Sequence, residues 1–448
     1  MSMYMRRKAY DRLLKWKKGN GESALLVEGA RRVGKSYLVK EFGEREYRSC
    51  IIVNFSSDRV DPRPVFEKNA GNLDMLLDGL SALYGTRLYR RESLIVFDEI
   101  QLYPPAREMI KTLVEDGRYD YIETGSLVSI KTRMSGILIP SEEDGMELHP
   151  MDFEEFLWAM GEDRLVEYLR GCFDDLRPVG ESIHHKAMRL FRQYMLVGGM
   201  PQAVQKYVET KDFESADTVK RRILKLYRED IANWGDRNKA HILRIFDRIP
   251  AELGKESKTF TLASMDKNAR MREYEDSFLW LADGKIVDIC QNSTDPSIGL
   301  SAYSDMSGIK CYMADTGLLI THTYNERGYL DNELYKAILL GNLGINEGML
   351  TENVVAQLLV SNGCRLFYYR RGRNDPKGQM EVDFLIRRGL RICPVEVESS
   401  DDSTHHPSLN SFRKIFSKGM GPSYVLHPKD VSRKDGIVYL PLYMAQFL

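Results

Sequence analysis

Residues 29–36 read Gly29-Ala30-Arg31-Arg32-Val33-Gly34-Lys35-Ser36, the spacing GxxxxGK[ST]. The chemistry open to such a run is the holding of phosphate. Its glycines let the backbone curl until amide N–H groups face one anion, and a helix N-terminus beyond adds partial positive charge. Lys35 is then placed to reach β- and γ-phosphates, and Ser36 to hold Mg2+. The context agrees with this reading rather than with a chance match in a loop. The apolar run Ala24-Leu25-Leu26-Val27 precedes the motif and a helical pattern over 37–42 follows it.

A second run, Leu94-Ile95-Val96-Phe97-Asp98-Glu99, is an apolar strand ending in two acids. Asp98 suits the Mg2+ shell. Glu99, one step on, suits orienting or activating a water. Two solvated acids at a strand end are the plainer alternative, and the phosphate motif upstream argues against it. In Tyr121-Ile122-Glu123-Thr124-Gly125-Ser126 a strand ends in small polar residues, and Thr124 or Ser126 is offered to a γ-phosphate; a polar turn is the competing reading.

A weaker set lies near the other end of the chain. Glu352 falls in a helical pattern, Glu381-Val382-Asp383 opens a strand, and Glu396-Val397-Glu398 ends the next one. Two or three of these carboxylates would hold Mg2+, which activates water. Arginines interleave with aromatics in Arg365-Leu366-Phe367-Tyr368-Tyr369-Arg370-Arg371, a pattern that suits phosphates and stacked bases or, equally, a strand with a solvated basic end. The adjacent His405 and His406 are read as loop, because neighbours on an extended chain point to opposite faces. Asp152, Glu154 and Glu155 are read as a helix start, where acids suit the dipole.

The elements that must position these groups follow from the patterning. Between 20 and 150, apolar strands at 24–28, 50–55, 94–97 and 121–123 alternate with helical segments, which predicts a parallel sheet covered by helices. Residues 151–235 read as helical, with a sharp break at Gly198-Gly199-Met200-Pro201. Residues 236–325 read as helices with a short β ending near 285–289. From 326 to 448 the pattern is again α/β, a helix at 352–361 and strands near 365–369, 382–386 and 392–398.

The chain has 448 residues, enough for about three domains. Its 64 basic and 65 acidic residues leave a net charge of −1, which excludes a globally basic nucleic-acid coat. No apolar run approaches the roughly 20 residues of a membrane helix. Residues 1–19 carry basic charge without a continuous apolar stretch, so they are read as a short amphipathic helix and not a signal peptide. Six scattered cysteines without a CxxC are read as reduced thiols in a cytoplasmic protein.

The segments GARRVGKS, LIVFDEIQ, IETGS, LHPMDFEEFL, LVGGMPQAV and YREDI occur in this order. Together they resemble the prokaryotic AAA-type ATPases that carry a C-terminal restriction-endonuclease-like domain of unknown function. The resemblance implies an α/β fold: a P-loop core over 1–160, a helical subdomain over 161–235, a winged-helix-like domain over 236–325 and a restriction-endonuclease-like domain over 326–448. It implies that residues 29–36, Asp98 and Glu99 carry ATP binding and hydrolysis, with a sensor at Thr124 or Ser126. No arginine finger is identified; Arg228 in YREDI is one candidate, with a helical ion pair as the plainer reading, and Arg31 and Arg32 lie inside the P-loop. Glu352, Asp383 and Glu396 resemble the metal site of the PD-(D/E)xK nuclease fold. That pattern expects a lysine where Glu398 stands, which removes a cation that would position the nucleophile. Lys377, Arg387 and Arg388 are the candidates to replace it.

Three functions follow as expectations. The first, preferred, is an ATPase switch coupled to the C-terminal part. The others are an ATP-gated nuclease and a non-cleaving scaffold for nucleic acid or protein. DNA, RNA and a partner protein stay open as partners.

Overall fold

The computed structural model describes residues 5–56, 59–69, 71–125, 142–234, 238–264, 270–296, 299–324, 335, 336, 339, 347–372, 375, 378–399 and 406–448. They fall into two units, Arg6–His149, and Pro150–Leu448 together with Met5.

In the first unit the order is α1 (Ala9–Lys17), β1 (Ala24–Gly29), α2 (Lys35–Glu46), β2 (Ser49–Asn54), α3 (Arg63–Asn69), α4 (Leu73–Tyr84), β3 (Ser93–Asp98), α5 (Pro104–Glu108), α6 (Ile110–Asp116), β4 (Asp120–Gly125) and β5 (Glu143–Leu148). The strands form one sheet in the order β2-β3-β4-β1-β5, every pair parallel. Parallel strands covered on both faces must be apolar throughout, not alternating. β3 and β4 are buried at every residue, and the first four residues of β1 are buried too. Leu26, Val53, Ile95, Phe97 and Tyr121 pack with Phe66, Leu77 and Leu113 into one core, worth about 1.5–3 kcal/mol per large side chain. All strands run the same way, so Gly29, Asn54, Asp98 and Gly125 end at one edge of the sheet.

The second unit opens with helices α7 (Phe153–Ala159), α8 (Asp163–Asp174), α9 (Glu181–Val197), α10 (Pro201–Thr210), α11 (Phe213–Trp234), α12 (Lys239–Leu253) and α13 (Met271–Asp283). Asp152 and Glu155 form a capping box on α7, so the acids there are a helix start. Then follow β6 (Val287–Ser293), β7 (Ser304–Met313), α14 (Thr316–Thr323), α15 (Glu347–Ser361), β8 (Phe367–Arg371), β9 (Met380–Arg388), β10 (Arg391–Val397), α16 (Pro407–Ile415), β11 (Ser423–His427), β12 (Ser432–Lys434) and β13 (Ile437–Pro441).

Among its described residues eight strands form one sheet, β12-β13-β11-β10-β9-β8-β6-β7. The antiparallel hairpin β6–β7 ends the helical stretch, and β6 pairs in parallel with β8, Gln291 with Phe367 and Asn292 with Tyr368. The sheet therefore runs across position 326. Among the described residues no helix is long and apolar enough to cross a membrane. All six cysteines are free thiols.

Candidate functional site

The loop between β1 and α2 has the backbone its glycines predict. Gly34, at the N-cap of α2, has φ of 99°, a region that disfavours other side chains. A Cβ on Gly29 would lie 2.3 Å from the carbonyl oxygen of Leu148, so that strand end accepts no larger residue. Lys35 is buried, and its Nζ donates to the carbonyl oxygens of Gly29 at 2.9 Å and Ala30 at 3.1 Å. Val33 is buried, whereas Arg31 and Arg32 are exposed. Arg7, which sequence reasoning passed over, is buried behind the loop and donates to the carbonyl oxygens of Val33 at 3.1 Å and His149 at 2.6 Å.

Asp98 is the meeting point of the sheet edge. Its Oδ1 accepts from Ser36 Oγ at 2.7 Å and from Thr124 Oγ1 at 2.5 Å; its Oδ2 accepts from Asn54 Nδ2 at 2.7 Å. Three segments of the motif set, on α2, β3 and β4, thus converge on one carboxylate, and β2 adds a fourth. Asn54 was missed, since a lone polar residue at a strand end carries no signal that separates it from a turn. Thr124 also accepts from the Glu99 backbone N–H at 3.3 Å. Ser126 lies outside the described residues.

Glu99 leaves the strand with φ of 57°, left-handed for a residue with a side chain. Its Oε2 accepts from Gln101 Nε2 at 2.5 Å, and Gln101 is itself buried. Gln101 is the third missed residue; only its place in LIVFDEIQ hinted at it.

The other face of β4 holds a second charged group. Glu123 is fully buried, Arg107 Nε stands 3.9 Å away, and Arg107 Nη2 donates to Glu143 at 2.8 Å. Burial, and then the neighbouring Glu143 carboxylate, push Glu123 well above the usual carboxylate range, with Arg107 opposing.

In the second unit the acids singled out from sequence occupy two adjoining clusters. Glu352 on α15 is buried and accepts from Tyr312 Oη. Lys310 on β7, 1% exposed, sets its Nζ 3.1 Å from Glu352, 3.0 Å from Glu381 and 3.6 Å from Asp383. Lys258 adds a second cation 2.9 Å from Glu352, and Arg370 Nε lies 3.6 Å from Glu381. Burial alone would lower the Lys310 pKa, but Glu352, Asp383 and Glu381 together raise it well above the ordinary lysine value. Burial likewise acts to raise Glu352, and Lys310 and Lys258 outweigh it. A cation of the chain thus bridges Glu352 and Asp383, the two carboxylates expected to share a metal.

Lys310 also stands in none of the positions expected to replace the missing lysine. Arg387 donates to the Gly389 carbonyl, Arg388 to Tyr424 and Phe447, and Lys377 is outside the described residues. Arg370 is engaged by Thr259 and Glu381, which reduces what the basic-aromatic run offers to nucleic acid. Arg228 forms an ion pair with Asp247 on the next helix.

Glu396 belongs to the second cluster. His406 Nδ1 lies 3.0 Å from Glu396 and 3.5 Å from Glu398. His406 is thus no free loop residue: it is buried just before α16, against the end of β10. His405 lies outside the described residues.

Residues 21–157 match the family model of the AAA domain. Residues 188–327 and 347–444 match two domains of unknown function, DUF8612 and DUF4143. No curated protein matches the chain. Among solved structures it is similar to a Walker-type ATPase of Pyrococcus abyssi, 15% identical, covering 71% of this chain and 96% of that one, at a TM-score of 0.41. It is also similar to a protein of Vibrio cholerae, 11% identical over 95% of each chain, at a TM-score of 0.18.

Proposed function

We propose that the chain is a Mg2+-dependent ATP hydrolase of the AAA type, whose nucleotide state sets what the second unit does. The observation that carries this reading is the convergence of Ser36, Asn54 and Thr124 on Asp98, beside Lys35 and Glu99, in a region matched by the AAA domain family. Ser36 Oγ and the Asp98 carboxylate are hard oxygen donors side by side, the set Mg2+ prefers. Mg2+ so held supplies charge neutralisation for the β- and γ-phosphates.

The chain's own residues do the rest. Residues 29–36 cradle the phosphates with backbone N–H groups, and Lys35 presents its ammonium at the same loop. Glu99 takes the proton of the attacking water, a role worth about 100- to 10,000-fold in rate. Thr124, bonded to both Asp98 and the Glu99 backbone, links the metal side of the site to the base. The second unit is read as the recognition or effector part. Lys310 and Lys258 already neutralise Glu352, which counts against a metal ion at that carboxylate.

The test is phosphate release from ATP by the full chain. Glu99→Gln is expected to lower kcat at least 100-fold with nucleotide still bound, and Lys35→Ala to weaken nucleotide binding. Turnover by Glu99→Gln as fast as wild type would overturn the reading.

A further inference from the structure

Glu396 lies on β10 and Glu398 follows its last residue, Val397; two residues apart on extended chain, both face the same His406 Nδ1. The first described residue after 399, His406, lies against them immediately before α16. One ligand atom from each of the three can be chosen so that all lie within 4.8 Å of one another. The Nδ1 distances of 3.0 Å to Glu396 and 3.5 Å to Glu398 are informative. Ligands held about 2.1 Å from a common ion stand about 3.0 Å apart at octahedral and about 3.4 Å apart at tetrahedral angles.

His406 is 3% exposed, and among the described residues its Nε2 has no hydrogen-bond partner. The same Nδ1 contacts also suit a proton, since bonding to Glu396, and then the charges of Glu396 and Glu398, raise the His406 pKa against burial. A divalent cation can take that proton's place, with Nδ1 as a neutral ligand facing the same two carboxylates, because metal binding to imidazole displaces the proton.

We propose that Glu396, Glu398 and His406 bind one divalent first-row transition-metal ion, Mn2+ or Zn2+ in class, with coordination positions left open to water. The imidazole is what selects this class over Mg2+ and Ca2+, which take oxygen ligands. Three protein ligands are too few to close the sphere, as in sites that keep a position for solvent or substrate. Glu398 is 28% exposed on its side chain, which gives the ion a way in. The site is separate from the Lys310 cluster: Lys310 contacts Glu352, Glu381 and Asp383, whereas the ion takes Glu396 and the glutamate that stands in place of a lysine. The proposal does not depend on the ATPase reading.

The experiment is Mn2+ titration of the metal-stripped full chain, followed by electron paramagnetic resonance. An Asp98→Asn background removes the Mg2+ position of the first unit. One Mn2+ per chain is expected in that background, with nitrogen coupling from a bound imidazole and displacement by Zn2+. His406→Gln should abolish the coupling and weaken binding at least tenfold. Glu398→Lys, at a partly exposed position, should abolish binding while the thermal melt stays within a few degrees. No bound Mn2+ in the Asp98→Asn protein, bound Mn2+ without nitrogen coupling, or undiminished binding in Glu398→Lys would each overturn the proposal. Should both variants fail to fold, the coupling in the Asp98→Asn protein decides alone.

Discussion

Gln101 Nε2 donates to Glu99 Oε2 at 2.5 Å, two residues along the chain from the carboxylate it holds. Glu99 has left-handed backbone, and Gln101 is buried in the 3-10 turn that follows. The carboxylate is therefore aimed by its own backbone and by one amide. Gln101→Ala should lower kcat about tenfold with KM for ATP within twofold, because aim and not nucleotide contact is lost. A variant with unchanged kcat would show that the amide does not position Glu99.

Asn54 acts on the other acid. Its Nδ2 bond is the only one of the three at Asp98 Oδ2, and its Oδ1 is itself held by Ser56 N and Oγ, so the amide orientation is set. Asn54→Ala should raise the Mg2+ concentration for half-maximal turnover about tenfold, as loss of a ligand-orienting partner does. The Mg2+ dependence of phosphate release checks this, and an unchanged dependence would count against it.

Lys310 is a buried cation between three carboxylates. Removing one partner of a buried pair strands the others, at about 3–5 kcal/mol. Lys310→Met should lower the urea midpoint of the second unit accordingly, while Lys310→Met combined with Glu352→Gln should recover part of the loss. A single variant as stable as wild type would mean that Lys258 and Tyr312 suffice for Glu352.

Glu123 gives a pH signature. Its ordinary pKa is 4.5, and burial with Glu143 nearby raises it well above that in the folded chain. Between the two values the folded chain keeps a proton that the unfolded chain has lost, so wild type loses stability as pH rises through that window. Glutamine has no proton to lose. The Tm of Glu123→Gln relative to wild type should therefore climb from pH 5 to pH 8. A difference that stays flat would place the proton elsewhere, on Glu143 for instance.

The first unit was largely readable from sequence because its strands are unbroken apolar runs that end in chemistry. Leu94 to Phe97 could be nothing but a covered strand, and Asp98 follows it directly. Residues whose role comes from a distant partner left no such mark. Lys310 meets Glu352 only because β7 and α15 pack together, 42 positions apart in the chain. His406 stands in the loop before α16, as read, but the alternation rule speaks about His405 and His406 only and gives no hint of partners at the end of β10. Gly199 reads as a helix breaker, which it is; that its N–H would donate to the buried carboxylate of Asp315 at 2.5 Å had no trace in the sequence.

The parallel pairing of β6 with β8 bears on where the chain can be cut. A fragment starting beyond residue 326 would carry β8 to β13 without the hairpin that flanks them, and without Lys310. It would begin with a bare sheet edge and with Glu352, Glu381 and Asp383 lacking the cation between them. The stretches matched by the two families of unknown function, 188–327 and 347–444, thus share one sheet, and a cut between them is expected to yield two insoluble halves.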